Sequence, residues 1–329
     1  MKALFLDRDP ASRVQSEIRD VALDALPRQG NVLVRVLYSS VNYKDGLAVT
    51  GRGKIVRADY PFVPGIDLCG EVVESGASRF AAGDLVVGTG WSIGEAFWGG
   101  YAEYQWMDEK WLVPLPETMT PKQAMVMGTA GFTAMLSMLA LEKNGIRQGE
   151  IVVTGASGGV GSIAVAILSK EGYAVVASTG KETAHKYLSG LGASRIIGRS
   201  DLSAGAIRPM DNARWVGCVD TVGGTTLEAV VSQMGKHGGI AACGLAGGHE
   251  LNTTVFPFIL RGVNLLGIDS NTCPAAKREL AWRRLGDMMT ATDYETMSTT
   301  ILLEQVGQAC AEITQGNVTG RIVVEIATK

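Results

Sequence analysis

Residues Glu150-Ile151-Val152-Val153-Thr154-Gly155-Ala156-Ser157-Gly158-Gly159-Val160-Gly161 decide the fold. A short apolar run ends in a glycine-rich turn, and the turn opens directly into Val160 to Lys170, which reads as a helix. Glycines in that position let a strand turn sharply and let a pyrophosphate approach the backbone. The helix N-terminus then offers unpaired N–H groups and partial positive charge to the phosphate. Without neighbours of the same kind, the run would be only a tight strand–helix junction.

The neighbours are of the same kind. Tyr173 to Ala177, Arg195 to Ile197, Trp215 to Val219, Gly239 to Cys243 and Val263 to Ile268 read as further strands. Glu182 to Leu191 and Thr225 to Met234 read as helices between them. Such alternation predicts an α/β fold with a doubly wound, parallel, six-stranded sheet. Upstream, Asn31 to Tyr38 alternates apolar and polar residues, and Gly70 to Glu74 and Leu85 to Gly88 are short apolar runs bounded by Gly and Asp. They predict a compact, partly open β-rich barrel. Between the two regions, Lys122 to Leu141 is helical in character and weakest at Gly128-Thr129-Ala130-Gly131, with Met125, Met127, Met135 and Met138 as core filler. Gly320 to Ile326 is β-like again and is read as rejoining the first region. The expected domains are therefore residues 1–124 with 270–329, and residues 125–269 inserted between them.

The 329 residues are 46% hydrophobic and 19% charged, enough for two well-buried cores and unlike a disordered chain. A formal net charge of −3, with no basic stripe, gives no nucleic-acid footprint. The N-terminal apolar run is too short for a signal peptide, and no stretch approaches about 20 uncharged apolar residues, so a cytoplasmic chain is expected. Cys69, Cys218, Cys243, Cys273 and Cys310 are odd in number and never form a CxxC pair. They read as reduced thiols packed in the core.

The end of the second Rossmann strand selects the cofactor. NAD sites place Asp or Glu there to hold the ribose 2′-hydroxyl. Here the strand runs into Ser178-Thr179-Gly180-Lys181, with Arg199 after the third strand. Hydroxyls and cations without a carboxylate suit a 2′-phosphate, so NADPH is expected.

Pro64-Gly65-Ile66-Asp67-Leu68-Cys69-Gly70, Gly99-Gly100-Tyr101-Ala102-Glu103, the glycine-rich turn and Cys218-Val219-Asp220-Thr221-Val222-Gly223-Gly224 together resemble the medium-chain dehydrogenase/reductases over essentially the whole chain. The resemblance implies a GroES-like β-rich domain beside the Rossmann domain. Ser40-Val41-Asn42-Tyr43-Lys44-Asp45, Gly51 to Arg57, Ala241 to Gly248 and Phe256 to Arg261 are similar to the zinc-free, quinone oxidoreductase-like branch, and within it to bacterial NADPH-dependent acrylyl-CoA reductases. Zinc-dependent relatives carry Gly-His-Glu where this chain has Gly65-Ile66-Asp67, and its histidines, His185, His237 and His249, all lie in the second half. No metal is expected.

The resemblance further implies cofactor contacts at Tyr43, Ser157, Gly158, Gly159, Val160, Ser178, Thr179, Gly180, Lys181, Arg199, Leu245, Ile259, Ser270 and Asn317. It implies a metal-free hydride transfer that reduces acrylyl-CoA to propionyl-CoA. Tyr43, with Asn42 beside it, is the candidate catalytic residue. Two roles stand open for it: donating to the developing enolate oxygen, or only stacking on the nicotinamide. Arg52, Lys54 and Arg57 form a cationic cluster suited to the phosphates of an acyl-CoA. A quinone or free-enone reductase is the alternative on the same scaffold, and a non-catalytic NADPH-binding protein a third reading. The apolar edge strand over Val263 to Ile268 predicts a homodimer.

Overall fold

A computed structural model describes residues 1–202 and 207–327. The chain runs through β1 (Lys2–Arg8), β2 (Val14–Asp20), β3 (Val32–Val41), α1 (Tyr43–Val49), β4 (Asp67–Ser75), β5 (Leu85–Thr89), β6 (Tyr104–Met107), β7 (Leu112–Pro114) and α2 (Pro121–Lys143). It continues with β8 (Glu150–Val153), α3 (Gly159–Lys170), β9 (Ala174–Thr179), α4 (His185–Gly190), β10 (Arg195–Gly198), β11 (Trp215–Asp220), α5 (Gly224–Gln233), β12 (Met234–Ala242), α6 (Phe256–Arg261) and β13 (Asn264–Gly267). It closes with α7 (Ala275–Met288), α8 (Ala291–Met297), β14 (Ser298–Leu302), α9 (Val306–Thr314) and β15 (Arg321–Glu325).

Two units divide the chain. The first comprises Met1–Thr129, Asn271–Asp287 and Met297–Lys329, and the second Ala130–Ser270 with Met288–Thr296. The junctions thus fall at Thr129/Ala130 and Ser270/Asn271, where the sequence put them at 124/125 and 269/270. No pattern in the chain signalled that Met288–Thr296 packs with the second unit, to which an ion pair of 2.9 Å between Lys170 and Asp293 ties it.

The first unit is built on a seven-stranded sheet of order β14-β15-β3-β4-β5-β7, with β6 also paired to β3, beside the β1–β2 hairpin. Its core gathers Leu4, Leu6, Val32, Val34, Val36, Phe62, Leu68, Val86, Met107 and Val324. Strand β3 is longer and more buried than the alternation of Asn31 to Tyr38 suggested. Ser39 and Ser40 break the apolar pattern, yet both are buried because their hydroxyls donate to Asp67, at its carbonyl and its carboxylate, at 2.6 Å each. A polar residue with a partner in hand costs a strand little.

The second unit carries the parallel six-stranded sheet, order β10-β9-β8-β11-β12-β13. Val152, Val176, Cys218 and Ile240 fill its interior. The doubly wound reading of the sequence holds strand for strand, with ends moved by a few residues at most except in β12, which begins five residues early. The sheet's edges are β10 and β13, and Leu265 of β13 is exposed.

Helix α2 is interrupted where the sequence is weakest: Gly128 stands at φ 50° and ψ −153°. It is the one helix, among the described residues, long and apolar enough to cross a membrane, and 83% of that stretch is buried in the fold. It is a core helix, and Met125, Met127, Met135 and Met138 are all buried in it. Four of the cysteines are buried and Cys243 is half-buried, all as free thiols. Helix α7 has no broad apolar face: Ala281, Trp282 and Leu285 make a narrow stripe beside Arg278, which is itself buried on the carbonyl and hydroxyl oxygens of Thr89 at 2.7 and 3.0 Å.

Candidate active site

The glycine-rich turn is set by its close contacts. Gly155 has φ +58°, and a Cβ there would stand 2.3 Å from the Thr221 Oγ1; at Gly161 it would meet the Gly155 carbonyl at 2.4 Å. Only glycine fits either place. Gly158 caps α3, and the amides of Gly159, Val160 and Gly161 have no protein acceptor among the described residues. They form the anion seat expected of such a turn. Asp220 braces it: one carboxylate oxygen accepts from Thr154 at 2.7 Å and the other from the Gly223 N–H at 2.8 Å. Burial pushes this carboxyl above the usual range, against those hydrogen bonds.

The end of β9 lies beside the turn. Ser157 and Thr179 are buried with their hydroxyls 3.0 Å apart, and the Ala156 N–H donates to the Ser178 carbonyl at 3.0 Å. The Arg199 guanidinium lies across Gly180, where a Cβ would stand 2.5 Å from it. Arg199 is exposed and makes no ion pair among the described residues. Lys181 is half-buried, and desolvation holds its ammonium below the usual range. The Arg199 guanidinium and the buried hydroxyls of Ser157 and Thr179 therefore gather around the end of β9, with Ser178 and Lys181 on either side of Thr179 and Gly180 in the chain. Leu245 and Ile259 are exposed apolar residues of the same unit, and Ser270 is its last residue before the junction. The donor set fits a dinucleotide with a phosphorylated ribose.

The candidate catalytic pair belongs to the first unit. Tyr43 opens α1 and Asn42 caps it. The Tyr43 ring is exposed and its hydroxyl has no hydrogen-bond partner among the described residues. Asn42 is buried beneath it and fully engaged. Its amide N–H donates to Asp67 at 2.8 Å, its carbonyl oxygen accepts from Arg321 at 3.2 Å, and its backbone N–H donates to Asp45 at 2.9 Å. Its side chain thus positions the start of α1, and with it Tyr43. Asn317 is also held locally, donating to Glu312 at 2.8 Å.

Below this pair lies a buried network that the sequence did not announce. Asp67 accepts from the Ser40 and Thr129 hydroxyls at 2.6 Å each and from the Thr129 N–H at 3.0 Å. Arg321 donates to the Ser40 hydroxyl at 2.9 Å and the Val126 carbonyl at 2.9 Å, and its nearest approach to Asp67 is 3.9 Å. A Cβ at Gly128 would stand 2.3 Å from the Asp67 carboxylate, so the break in α2 is the room that this carboxylate occupies. Asp67 and Arg321 stand in stretches already singled out, Gly65-Ile66-Asp67 and Gly320 to Ile326. The usable signal was an ionisable residue inside each apolar strand.

Asp45 is buried on the Asn42 and Ile66 N–H groups, both at 2.9 Å. Burial first, and then the neighbouring Asp67 charge, push its carboxyl up to about 7. A carboxyl raised on folding contributes stability that is complete below the unfolded value of about 4 and lost as pH rises through 7. Urea unfolding between pH 5 and 7.5 is expected to show stability falling with pH by on the order of 1 kcal/mol per unit, and Asp45→Asn is expected to flatten that slope. An equal slope in the variant would assign the pH dependence elsewhere.

Of the expected substrate cluster, Arg52 and Lys54 are exposed and have no ion pair among the described residues. Arg57 is bound to Glu95 at 3.0 Å.

Residues 28–117 match the family model of the alcohol dehydrogenase GroES-like domain, and residues 159–287 that of zinc-binding dehydrogenases. The acrylyl-CoA reductase AcuI of Ruegeria pomeroyi is 47% identical over 327 residues, 98% of either chain. This chain belongs to the medium-chain dehydrogenase/reductase family. Among solved structures, the yhdH oxidoreductase of Salmonella enterica in complex with NADP has a TM-score of 0.97 and 47% identity, covering 99% of this chain and all of its own. Bacillus subtilis yhfP with NAD bound has a TM-score of 0.95 and 44% identity, covering 98% of both chains.

The residues described at this position do not fit the zinc of the family's metal-dependent members. No group of three His, Cys, Asp or Glu side chains that could hold a metal gathers among the described residues. Ile66 offers no ligand atom, Asp45 and Asp67 are enclosed in the network above, and burial pushes the Cys69 thiol far up. A metal needs the thiolate.

Proposed function

We propose that this chain reduces the carbon–carbon double bond of acrylyl-CoA to give propionyl-CoA, using NADPH and no metal, in the cytoplasm. The observation that carries the reading is the 47% identity to the Ruegeria acrylyl-CoA reductase along 98% of both chains. The NADP in the Salmonella neighbour and the Arg199 guanidinium over Gly180 support the phosphorylated cofactor. Five free cysteines suit a reducing compartment.

Each group then has a task. The amides of Gly159, Val160 and Gly161, with Ser157 and Gly158, hold the pyrophosphate at the N-terminus of α3. Ser178, Thr179, Gly180, Lys181 and Arg199 hold the ribose 2′-phosphate, and Leu245, Ile259, Ser270 and Asn317 line the remaining length of the cofactor. NADPH, when bound, supplies the hydride that adds to the β-carbon of the enoyl group. Negative charge then gathers on the thioester oxygen, and the Tyr43 hydroxyl donates to it. Asn42 holds the N-terminus of α1 so that this donor is placed before the reaction begins. A proton taken up from solvent at the α-carbon completes the reduction, so that one NADPH and one proton are consumed per acrylyl-CoA. Arg52, Lys54 and Arg57 face the phosphates of the substrate.

NADPH oxidation compared across acrylyl-CoA, crotonyl-CoA, free acrylate and a quinone tests the reading. Acrylyl-CoA is expected to be turned over fastest. The extra methyl of crotonyl-CoA should lower kcat/KM by roughly 10–200-fold in a pocket fitted to the smallest enoyl group. A quinone reduced faster than acrylyl-CoA would favour the quinone reductase instead.

The working unit is a homodimer in this proposal. From the start of α6 to β13, Val255, Phe256, Leu260 and Leu265 are exposed, and β13 is an unpaired edge among the described residues. Exposed apolar residues at and near a sheet edge suit a two-fold contact. Light scattering at micromolar concentration should give about twice the 34.7 kDa of the chain; a monomeric mass would refute the dimer.

A further inference from the structure

Two consecutive residues of the first unit, Trp91 and Ser92, adopt left-handed backbone conformations, with φ 54° and 62°. Neither is glycine, so the turn is strained. Asn271 holds it in place: its carbonyl accepts from the Trp91 N–H and its side-chain oxygen from the Ser92 N–H, both at 2.8 Å. The Ser92 carbonyl in turn accepts from the Glu95, Ala96 and Phe97 N–H groups at 3.1, 2.9 and 3.2 Å. The strained turn therefore fixes Glu95.

Glu95 holds two cations from different parts of the chain. Its Oε1 lies 2.7 Å from the Lys44 Nζ and its Oε2 3.0 Å from Arg57. Arg57 also donates to the Ser92 hydroxyl at 2.8 Å, and its backbone N–H to the Glu95 carbonyl at 2.7 Å. The carboxylate is covered and the cations are open: the side chains are 12% exposed for Glu95, 41% for Lys44 and 54% for Arg57. One buried negative charge thus orients two outward positive ones, with a net charge of +1 and N–H donors to spare on both. An ion pair whose only purpose was to join two loops needs one cation. Two cations splayed from a shared, rigidly held carboxylate make a preorganised seat for a multiply charged anion.

We propose that Lys44 and Arg57, positioned by Glu95, form the seat for the phosphates of the coenzyme A moiety. The inference rests on the acyl-CoA reading above and deepens it. It brings in Lys44 and Glu95, which the sequence did not single out, and it ranks Arg57 above the unpartnered Arg52 and Lys54. The flexible pantetheine arm separates the thioester from the phosphates, so the seat has no need to touch the acyl end.

The test compares acrylyl-CoA with acrylyl-pantetheine, the same thioester without the nucleotide. In Lys44→Gln and Arg57→Gln, the KM advantage of the CoA ester is expected to fall about tenfold. Glu95→Gln makes the loop more positive, so bulk attraction alone would increase that advantage. Loss of the positioning carboxylate is expected to shrink it. An unchanged ratio in Lys44→Gln and Arg57→Gln, or a larger ratio in Glu95→Gln, overturns the proposal. So does a raised KM for NADPH with the ratio intact, which would give the seat to the cofactor. Calorimetry with free coenzyme A, in saturating NADP⁺, separates this inference from the activity it rests on. If the wild-type enzyme reduces neither thioester, the proposed activity has failed, while about tenfold weaker coenzyme A binding in both cation variants still upholds the seat. Equal binding by wild type and variants removes it.

Discussion

Tyr43→Phe is expected to lower kcat for acrylyl-CoA about a hundredfold while the KM for NADPH barely moves. The substitution keeps the ring and deletes only the hydroxyl. That hydroxyl is unpartnered among the described residues, on an exposed side chain at the first position of α1. The backbone around it is fixed from below, since Asn42 is tied to Asp67, Asp45 and Arg321. A donor held ready in this way stabilises charge that exists only in the transition state, and so its loss falls on kcat. The other role open to Tyr43, stacking on the nicotinamide, gives the opposite pattern. Tyr43→Phe would then be nearly wild type, and Tyr43→Ala would lose cofactor affinity instead. A fully active Tyr43→Phe enzyme would end the donor role.

Arg199→Ala is expected to cut kcat/KM with NADPH by about thirtyfold and to change the value with NADH less than about threefold. A hydrogen bond to a charged partner contributes about 2 kcal/mol, and the partner proposed for Arg199, the 2′-phosphate, exists only on NADPH. Arg199 lies against Gly180 and makes no ion pair among the described residues. Lys181 remains in the variant, so part of the preference should survive. Steady-state kinetics with both cofactors reads the effect, and equal losses on NADH and NADPH would show that Arg199 acts on something common to both.

Most of the second unit was legible in the sequence because its physics is local. A parallel sheet buried on both faces needs continuous apolar strands, and Glu150–Val153, Ala174–Thr179 and Trp215–Asp220 supply them. The glycine-rich turn needs glycine at 155 and 161 for reasons that any such turn shares. The first unit was harder to read. The β1–β2 hairpin lacks an apolar face along Val14–Asp20, so no alternation marks the second strand. Helix α7 carries only a narrow apolar stripe beside a buried arginine that Thr89 satisfies, so no broad apolar face marks it in the sequence.

The candidate site divides along the same line. Ser178, Thr179, Gly180 and Arg199 could be named from their places after two strands. The Asp67 network and the Lys44–Glu95–Arg57 cluster could not, because each joins residues far apart in the chain: Ser40 to Arg321, Lys44 to Glu95. Long-range polar contacts leave no periodicity behind them. The one trace in the sequence is a charged residue where an apolar one would do, and for Arg57 that trace does not say which residue it meets. It reads as a member of a cationic run with Arg52 and Lys54, whereas in the fold it shares a carboxylate with Lys44.

Reduction of an enoyl thioester by hydride from NADPH leaves its own label in the product when the cofactor is deuterated at the transferring position of C4. Incubation with acrylyl-CoA should yield propionyl-CoA carrying one deuterium at its β-carbon, in step with NADPH consumed. NADPH consumption without labelled propionyl-CoA, or its absence with acrylyl-CoA while a quinone is reduced, would contradict the account.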